Sequence, residues 1–258
     1  MKIEFLGDIS DLSEGIRCIK DDLGIELSDG GLIVEVIKAD SDELELFKDN
    51  NYVKITCGRK IHFFRALSLL KENKSKSKIH ISERQQFDMC GAMFDMSQGN
   101  AVIKTDNVKR ILRKMALMGL DMLILYTEDN YQIKGEPYFG YMRGKYSFEE
   151  LKAIDDYAYA LGIEAIPCIQ TLAHLYDALR WTCFETIKED DDTLLVGDDK
   201  TYEFIEKMVA AASAPFRSKR IHIGMDEAWK LGQGNYLLKN GYSPKYQIMR
   251  AILIKLSK

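Results

Sequence analysis

The sequence predicts an α/β protein: a small α+β domain followed by a β/α barrel of the TIM type, truncated to about its first four strand-helix units. Three observations predict it. From about residue 86 onward, apolar runs of strand length alternate with amphipathic segments of helical period. Polar and acidic residues cluster where those runs end, at 95–98, 127–129, 170–174 and 226–227. Before residue 86 the rhythm is different, with shorter strands, a hairpin and two helices.

In the first segment KIEFLG reads as a strand, and Leu12, Ile16, Ile19 and Leu23 recur at helical spacing behind it. LIVEVIKAD follows as a strand. ELELFKDNNYVKIT reads as a hairpin, because Leu44 and Leu46 alternate on one side of the turn former DNN and Val53 and Ile55 on the other. HFFRALSLLKEN is a second helix running into the lysine-rich KENKSKSK, a solvated loop with no interleaved aromatics. KIHISERQQF closes a domain spanning residues 1–85.

Residues 86–258 form the second predicted domain. GAMFDMS is its first strand, followed by a helix over DNVKRILRKMALMG that Gly119 stops. DMLILYTED is the second, with a long loop and then the helix SFEELKAIDDYAYALG, where Ser147 and Glu150 have capping-box spacing. EAIPCIQTLAH is the third and KRIHIGMDE the fourth, with a helix around TYEFIEKMVAAAS between them and a last one over SPKYQIMRAILIKLSK. Strands buried on both faces and joined by helices imply a parallel sheet with right-handed crossovers. A doubly wound open sheet would carry a Gly-rich phosphate turn after its first strand, which this chain lacks. The barrel is therefore preferred. Eight units take about 200 residues or more, so 86–258 supplies half a barrel with open edges. A fragment of a longer protein is expected, or a homo-oligomer or partner chain covering those edges.

Composition narrows the function. Apolar residues are 46% of the 258 and charged ones 29%, enough for a real core. Lys and Arg number 36 against 40 Asp and Glu, a net charge of -4, which argues against nucleic acid as a partner. No run reaches the length of a membrane span or of a signal peptide's apolar core, so no membrane is expected and a cytoplasmic location is. The five cysteines are odd in number and include no CxxC pair, and buried free thiols are expected.

Asp226 and Glu227 end the run IHIGMDE. Where a strand breaks into a loop, both carboxylates can converge on a pocket and divide acid and base work. His174 closes the third strand, and Asp129 or Glu128 at the end of the second is placed to orient it. His222, inside the fourth strand, is expected to be buried and structural. His174, His222, Asp226 and Glu227 are ligand types suited to zinc or manganese, but HxH and HExxH spacings are absent, so neither a metal nor any other cofactor is expected. GQG at 232–234 has no strand before it and reads as a turn rather than a phosphate loop.

HIGMDEAWKLGQGNY, YTEDNYQIKGEPYFGYMRGKYSFEEL and IQTLAHL, in this order along the chain, resemble the β-N-acetylhexosaminidases of glycoside hydrolase family 20. The resemblance covers most of residues 86–245, and the first 85 look like the small α+β domain that precedes the family's barrel. It implies a retaining exo-glycosidase that removes terminal β-linked N-acetylglucosamine or N-acetylgalactosamine, with the substrate's own acetamide as nucleophile. Its partners would be glycans containing N-acetylhexosamine. By the same resemblance Glu227 is the general acid in a dry pocket, and Asp226 orients the acetamide N–H and stabilises the oxazolinium ion. His174 with Asp129, or with Glu128, steadies the acid, and Trp229 packs either near the pocket or in the core. Two departures stand out. Where the family commonly has an Arg that holds sugar hydroxyls, this chain places Gln98, an uncharged hydrogen-bonding group. The family's later loops, which clasp the acetamide, are not in this chain. A non-catalytic carbohydrate-binding or assembly remnant is the alternative.

Overall fold

The computed structural model describes residues 1–97 and 102–256. In chain order its elements are β1 (Lys2–Leu6), α1 (Ser13–Leu23), β2 (Glu26–Leu27), β3 (Leu32–Lys38), β4 (Glu43–Asp49), β5 (Tyr52–Cys57), α2 (Lys60–Glu72), β6 (Lys78–Arg84) and β7 (Gly91–Asp95). Then follow α3 (Thr105–Met118), β8 (Met122–Tyr126), α4 (Phe148–Ala160), β9 (Glu164–Cys168), α5 (Tyr176–Leu179), a 3-10 turn at Thr182–Ile187, α6 (Asp199–Ser213), α7 (Asn235–Asn240) and α8 (Lys245–Leu256). The chain divides into two compact units, one of 1–92, 104–123 and 153–165, the other of 93–103, 124–152 and 166–258.

The first unit is built on a six-stranded sheet in the order β2-β1-β3-β5-β4-β6. β1, β3 and β5 run parallel, and β4 returns antiparallel between β5 and β6. The expected hairpin forms with Leu46 opposite Ile55 and Asp49 opposite Tyr52. Its period-two pattern puts Leu44, Leu46, Val53 and Ile55 on the buried face. Ile16, Ile19 and Leu23 of α1 and Phe63, Phe64, Leu67 and Leu70 of α2 are buried too, and truncating one of these to Ala costs about 2–5 kcal/mol. The two-residue strand β2 has no sequence signal of its own; it exists because β1 offers it a parallel edge.

β7, β8 and β9 form a second sheet in that order. Asp121 N donates to Cys90 O before the strands and Met96 N to Tyr126 O after them, so β7 and β8 are parallel. Glu164 N to Asp121 O and Thr127 N to Cys168 O do the same for β8 and β9. α3 ends at Gly119 in the left-handed conformation, as the sequence implies. The capping box forms at α4, with Ser147 N bonded to Glu150 Oε2 at 2.9 Å and Glu150 N to Ser147 Oγ at 3.1 Å. These are the parallel strands and helices of a truncated β/α barrel, and the described residues close no barrel.

The fourth strand is a correction. Residues 219–227 form no strand, and only His222 bridges in parallel to Cys168. His222 N donates to Pro167 O, Ile169 N to His222 O and Thr171 N to Gly224 O, so the segment lies where the strand was expected. Bonded along one edge among the described residues, it does not develop a ladder. His222 is accordingly exposed rather than buried. The thiols are free, but of the five Cys57 and Cys168 are buried and Cys183, in the 3-10 turn, is exposed.

Candidate active site

All of the site lies in the second unit, where β8, β9 and the 219–227 segment end. His174 comes from the loop after β9, and its Nε2 lies 3.4 Å from Asp226 Oδ2 and 3.4 Å from Glu227 Oε2. A proton on that nitrogen faces both carboxylates. His174 and Glu227 hold positive φ, at 58° and 53°, though neither is glycine. For a residue with a Cβ this left-handed backbone costs about 1–2 kcal/mol, and such strain gathers at functional sites. Here it turns the two side chains toward one another.

A hydrogen-bonded row supports Asp226 from below. Gln170 Nε2 donates to Asp226 Oδ1 at 3.0 Å and to Tyr126 Oη at 3.0 Å, and Tyr126 donates in turn to Glu128 Oε1 at 3.1 Å. Gln170 is buried, and Gly224 makes room for it: a Cβ there would stand 2.5 Å from Gln170 Oε1 and from Ile169 O. Burial pushes the Asp226 carboxyl upward, but the Gln170 bond, a backbone bond and the nearby His174 and His222 outweigh it and leave it below the usual range. Glu128 is pushed up by burial, more than the Tyr126 bond and the charges of Arg143 and His174 pull it down. Gln170 and Tyr126 thus join a carboxyl held low, Asp226, to one held high, Glu128.

Asp129 is 1% exposed and stands not against His174 but against Arg143, whose Nη1 lies 3.0 Å from Oδ1. Neither Asp129 oxygen has a well-aligned hydrogen bond, and burial raises its pKa against the pull of Arg143. Arg143 also bonds Asp177 and Ser97 O. Nothing in the spacing of YMRGKY marked Arg143 beforehand. Gln98 lies outside the described residues.

Trp229 is 71% exposed, so of its two expected places the core is ruled out. It lines a cavity of about 260 Å³ with Glu227, Lys230, Tyr176 and the acidic turn at 190–192. The dry pocket expected around the acid is not formed by the described residues, since the side chains of Asp226 and Glu227 are 60% and 55% exposed. Among the described residues no group of three or more His, Cys, Asp and Glu is placed to hold a metal ion, and no helix is long and apolar enough to cross a membrane.

No curated protein matches the chain. Among solved structures it resembles a Flavobacterium johnsoniae chitobiase, with TM-score 0.78 and 20% identity over 99% of this chain and 46% of that one. A Streptomyces coelicolor β-N-acetylhexosaminidase follows with TM-score 0.75 and 20% identity, covering 93% of this chain and 59% of that. One from Bacteroides fragilis has TM-score 0.72 and 15% identity, covering 96% and 57%. The chain thus spans about half the length of the structures it matches. The model of the catalytic domain of glycosyl hydrolase family 20 matches residues 67–249, and the chain belongs to that family.

Proposed function

We propose that this chain carries the proton-transfer and acetamide-orienting groups of a retaining β-N-acetylhexosaminidase acting on terminal β-linked N-acetylhexosamine. The observation that carries the reading is His174 Nε2 at 3.4 Å from both Asp226 and Glu227, on backbone strained into that arrangement. In the proposed reaction the substrate's acetamide oxygen attacks C1 while the bond to the leaving oxygen breaks. Glu227 gives its proton to that oxygen. Asp226, held ionised by Gln170, accepts the acetamide N–H and offsets the positive charge of the oxazolinium ion. Water then attacks C1, Glu227 takes its proton, and the amide is restored with retention. His174 holds the two carboxylates together.

The exposure of both carboxylates means that something further must exclude water during this chemistry. We take the enclosure to come from additional polypeptide, in a longer chain or an associated one, consistent with a match to half the length of the similar structures. The test is release of p-nitrophenol from its β-N-acetylglucosaminide by the protein in its native assembly. Glu227→Gln should lower kcat about 10²–10⁴-fold, and undiminished turnover would remove Glu227 from the acid's role. The same exposure favours a second reading, a non-catalytic carbohydrate-binding or assembly remnant. Calorimetric binding of N-acetylglucosamine without any hydrolysis by the assembly would select it.

A further inference from the structure

The GQG turn is not an empty loop, because a carboxylate from elsewhere in the second unit fills it. Glu189, 2% exposed, accepts at Oε1 from Gly232 N (2.9 Å) and Gly234 N (2.8 Å), and at Oε2 from Tyr236 N (2.6 Å). Its backbone oxygen accepts from Asn235 N at 3.0 Å, and Lys188 O from Asn235 Nδ2 at 2.7 Å. Five hydrogen bonds therefore join residues 188–189 to residues 232–236. The fit depends on glycine: a Cβ on Gly234 would stand 2.2 Å from Glu189 O. Glu189 has a firm base of its own, since Glu189 N donates to Thr193 O at 2.8 Å and Lys188 pairs with Leu194 in an antiparallel bridge.

This clasp sits five residues beyond Glu227, and the chain between them is a run of tight turns. Trp229 N donates to Glu227 O at 2.6 Å, Leu231 N to Ala228 O at 3.3 Å and Gln233 N to Lys230 O at 3.0 Å. Displacement at 232 is therefore passed to 227 rather than absorbed. On the other side Glu227 is anchored through Thr171 N to Gly224 O at 2.9 Å. A left-handed Glu persists only where its surroundings over-determine it, and these two anchors are the surroundings.

We infer that Glu189 is the positioning residue for Glu227, an inference that rests on the hydrolase reading above. It touches no substrate; it holds the acid's backbone so that the proton meets the leaving oxygen. An ionised carboxylate suits the task because it only accepts, whereas a glutamine would turn N–H donors toward backbone N–H groups and forfeit at least one bond.

The test compares wild type with Glu189→Gln and, separately, Gly234→Ala, each well below its unfolding temperature, on two substrates. N,N′-diacetylchitobiose has a sugar leaving group that needs a proton, while 2,4-dinitrophenyl β-N-acetylglucosaminide has a phenolate that leaves without one. Both variants should lose about thirtyfold or more in kcat/KM on the disaccharide, while kcat/KM on the dinitrophenyl substrate, which reports only the first bond cleavage, stays within about threefold. A general loss of folded protein would lower kcat/KM on both substrates alike, and that result, or unchanged kcat/KM on both, overturns the inference. If wild type cleaves neither substrate, the hydrolase reading has failed and Glu189 is judged on the backbone alone. The amide resonances of Gly232 and Gly234 should then move in Glu189→Gln, and resonances that stay in place would refute the clasp.

Discussion

Gln170 donates from Nε2 to Asp226 Oδ1 at 3.0 Å, and the same nitrogen reaches Tyr126 Oη at 3.0 Å. One buried amide thus links a carboxylate held below its usual pKa, Asp226, to one raised above it, Glu128, through a tyrosine. The arrangement favours charge on Asp226, which is where the proposed reaction needs it.

Replacing Gln170 by Leu removes the first force that lowers the Asp226 pKa and leaves burial, which raises it. Because Asp226 is required ionised, the acid limb of kcat/KM against pH should move to higher pH, with the alkaline limb in place. A pH-rate profile on p-nitrophenyl β-N-acetylglucosaminide checks this. An unmoved acid limb would assign that limb to another group.

Asp226→Asn keeps the shape of the side chain but removes the charge opposite the oxazolinium ion. We expect kcat to fall about 10²–10³-fold, the scale of losing one electrostatic stabiliser of the transition state, with KM changing far less. Steady-state kinetics on the same substrate decide it, and a loss confined to KM would make Asp226 a simple binding group.

Arg143→Met leaves Asp129 buried without its cation. Asp129 already has a raised pKa, through burial that Arg143 only partly opposes. A carboxyl with a folded pKa above its unfolded one binds its proton more tightly in the native state, so its contribution falls as pH rises through that window. The variant should lose about 3 kcal/mol at pH 7 and distinctly less near pH 4. Denaturant unfolding at the two pH values measures both losses, and equal losses would place the cost elsewhere.

Asp121, 5% exposed in the first unit, accepts from Cys90 N at 2.7 Å and Gln85 Nε2 at 3.0 Å and pairs with Arg59. Burial raises its pKa, yet these bonds and the Arg59 charge outweigh it and hold the carboxyl low. The stability it brings is present above the ordinary carboxylate range and is lost as pH falls through the lowered value. Asp121→Asn should therefore cost about 1–3 kcal/mol at pH 7, and the gap from wild type should close in acid. Thermal melts across pH would show it; a gap independent of pH would mean that charge plays no part.

Much of the fold was legible because its signals are local. The hairpin around Asn50, the stop at Gly119 and the capping box at Ser147 each rest on residues within a few positions of one another, and each forms as read. KRIHIGMDE also looks like a strand locally, but a strand is a relation between neighbours, and this one bonds along a single edge. Trp229 carries no mark of burial or exposure in its sequence. Arg143 and Glu189 were illegible for another reason: their partners lie 14 and about 45 positions away, and a buried acid within KEDDD looks like any solvated run.

By itself the amino-acid sequence determined the hairpin β4–β5, the strands β7 to β9 and the helices α3, α4 and α6, and it placed Asp226, Glu227 and His174 at segment ends, because period and position along a chain are local properties. Tertiary structure alone decided that His174 stands equidistant from the two carboxylates, that Asp129 faces Arg143, and that Glu189 fills the glycine turn. The first depends on two loops meeting where β9 and the 219–227 segment end, and the other two on which distant groups share a buried space, where an unpaired charge is costly.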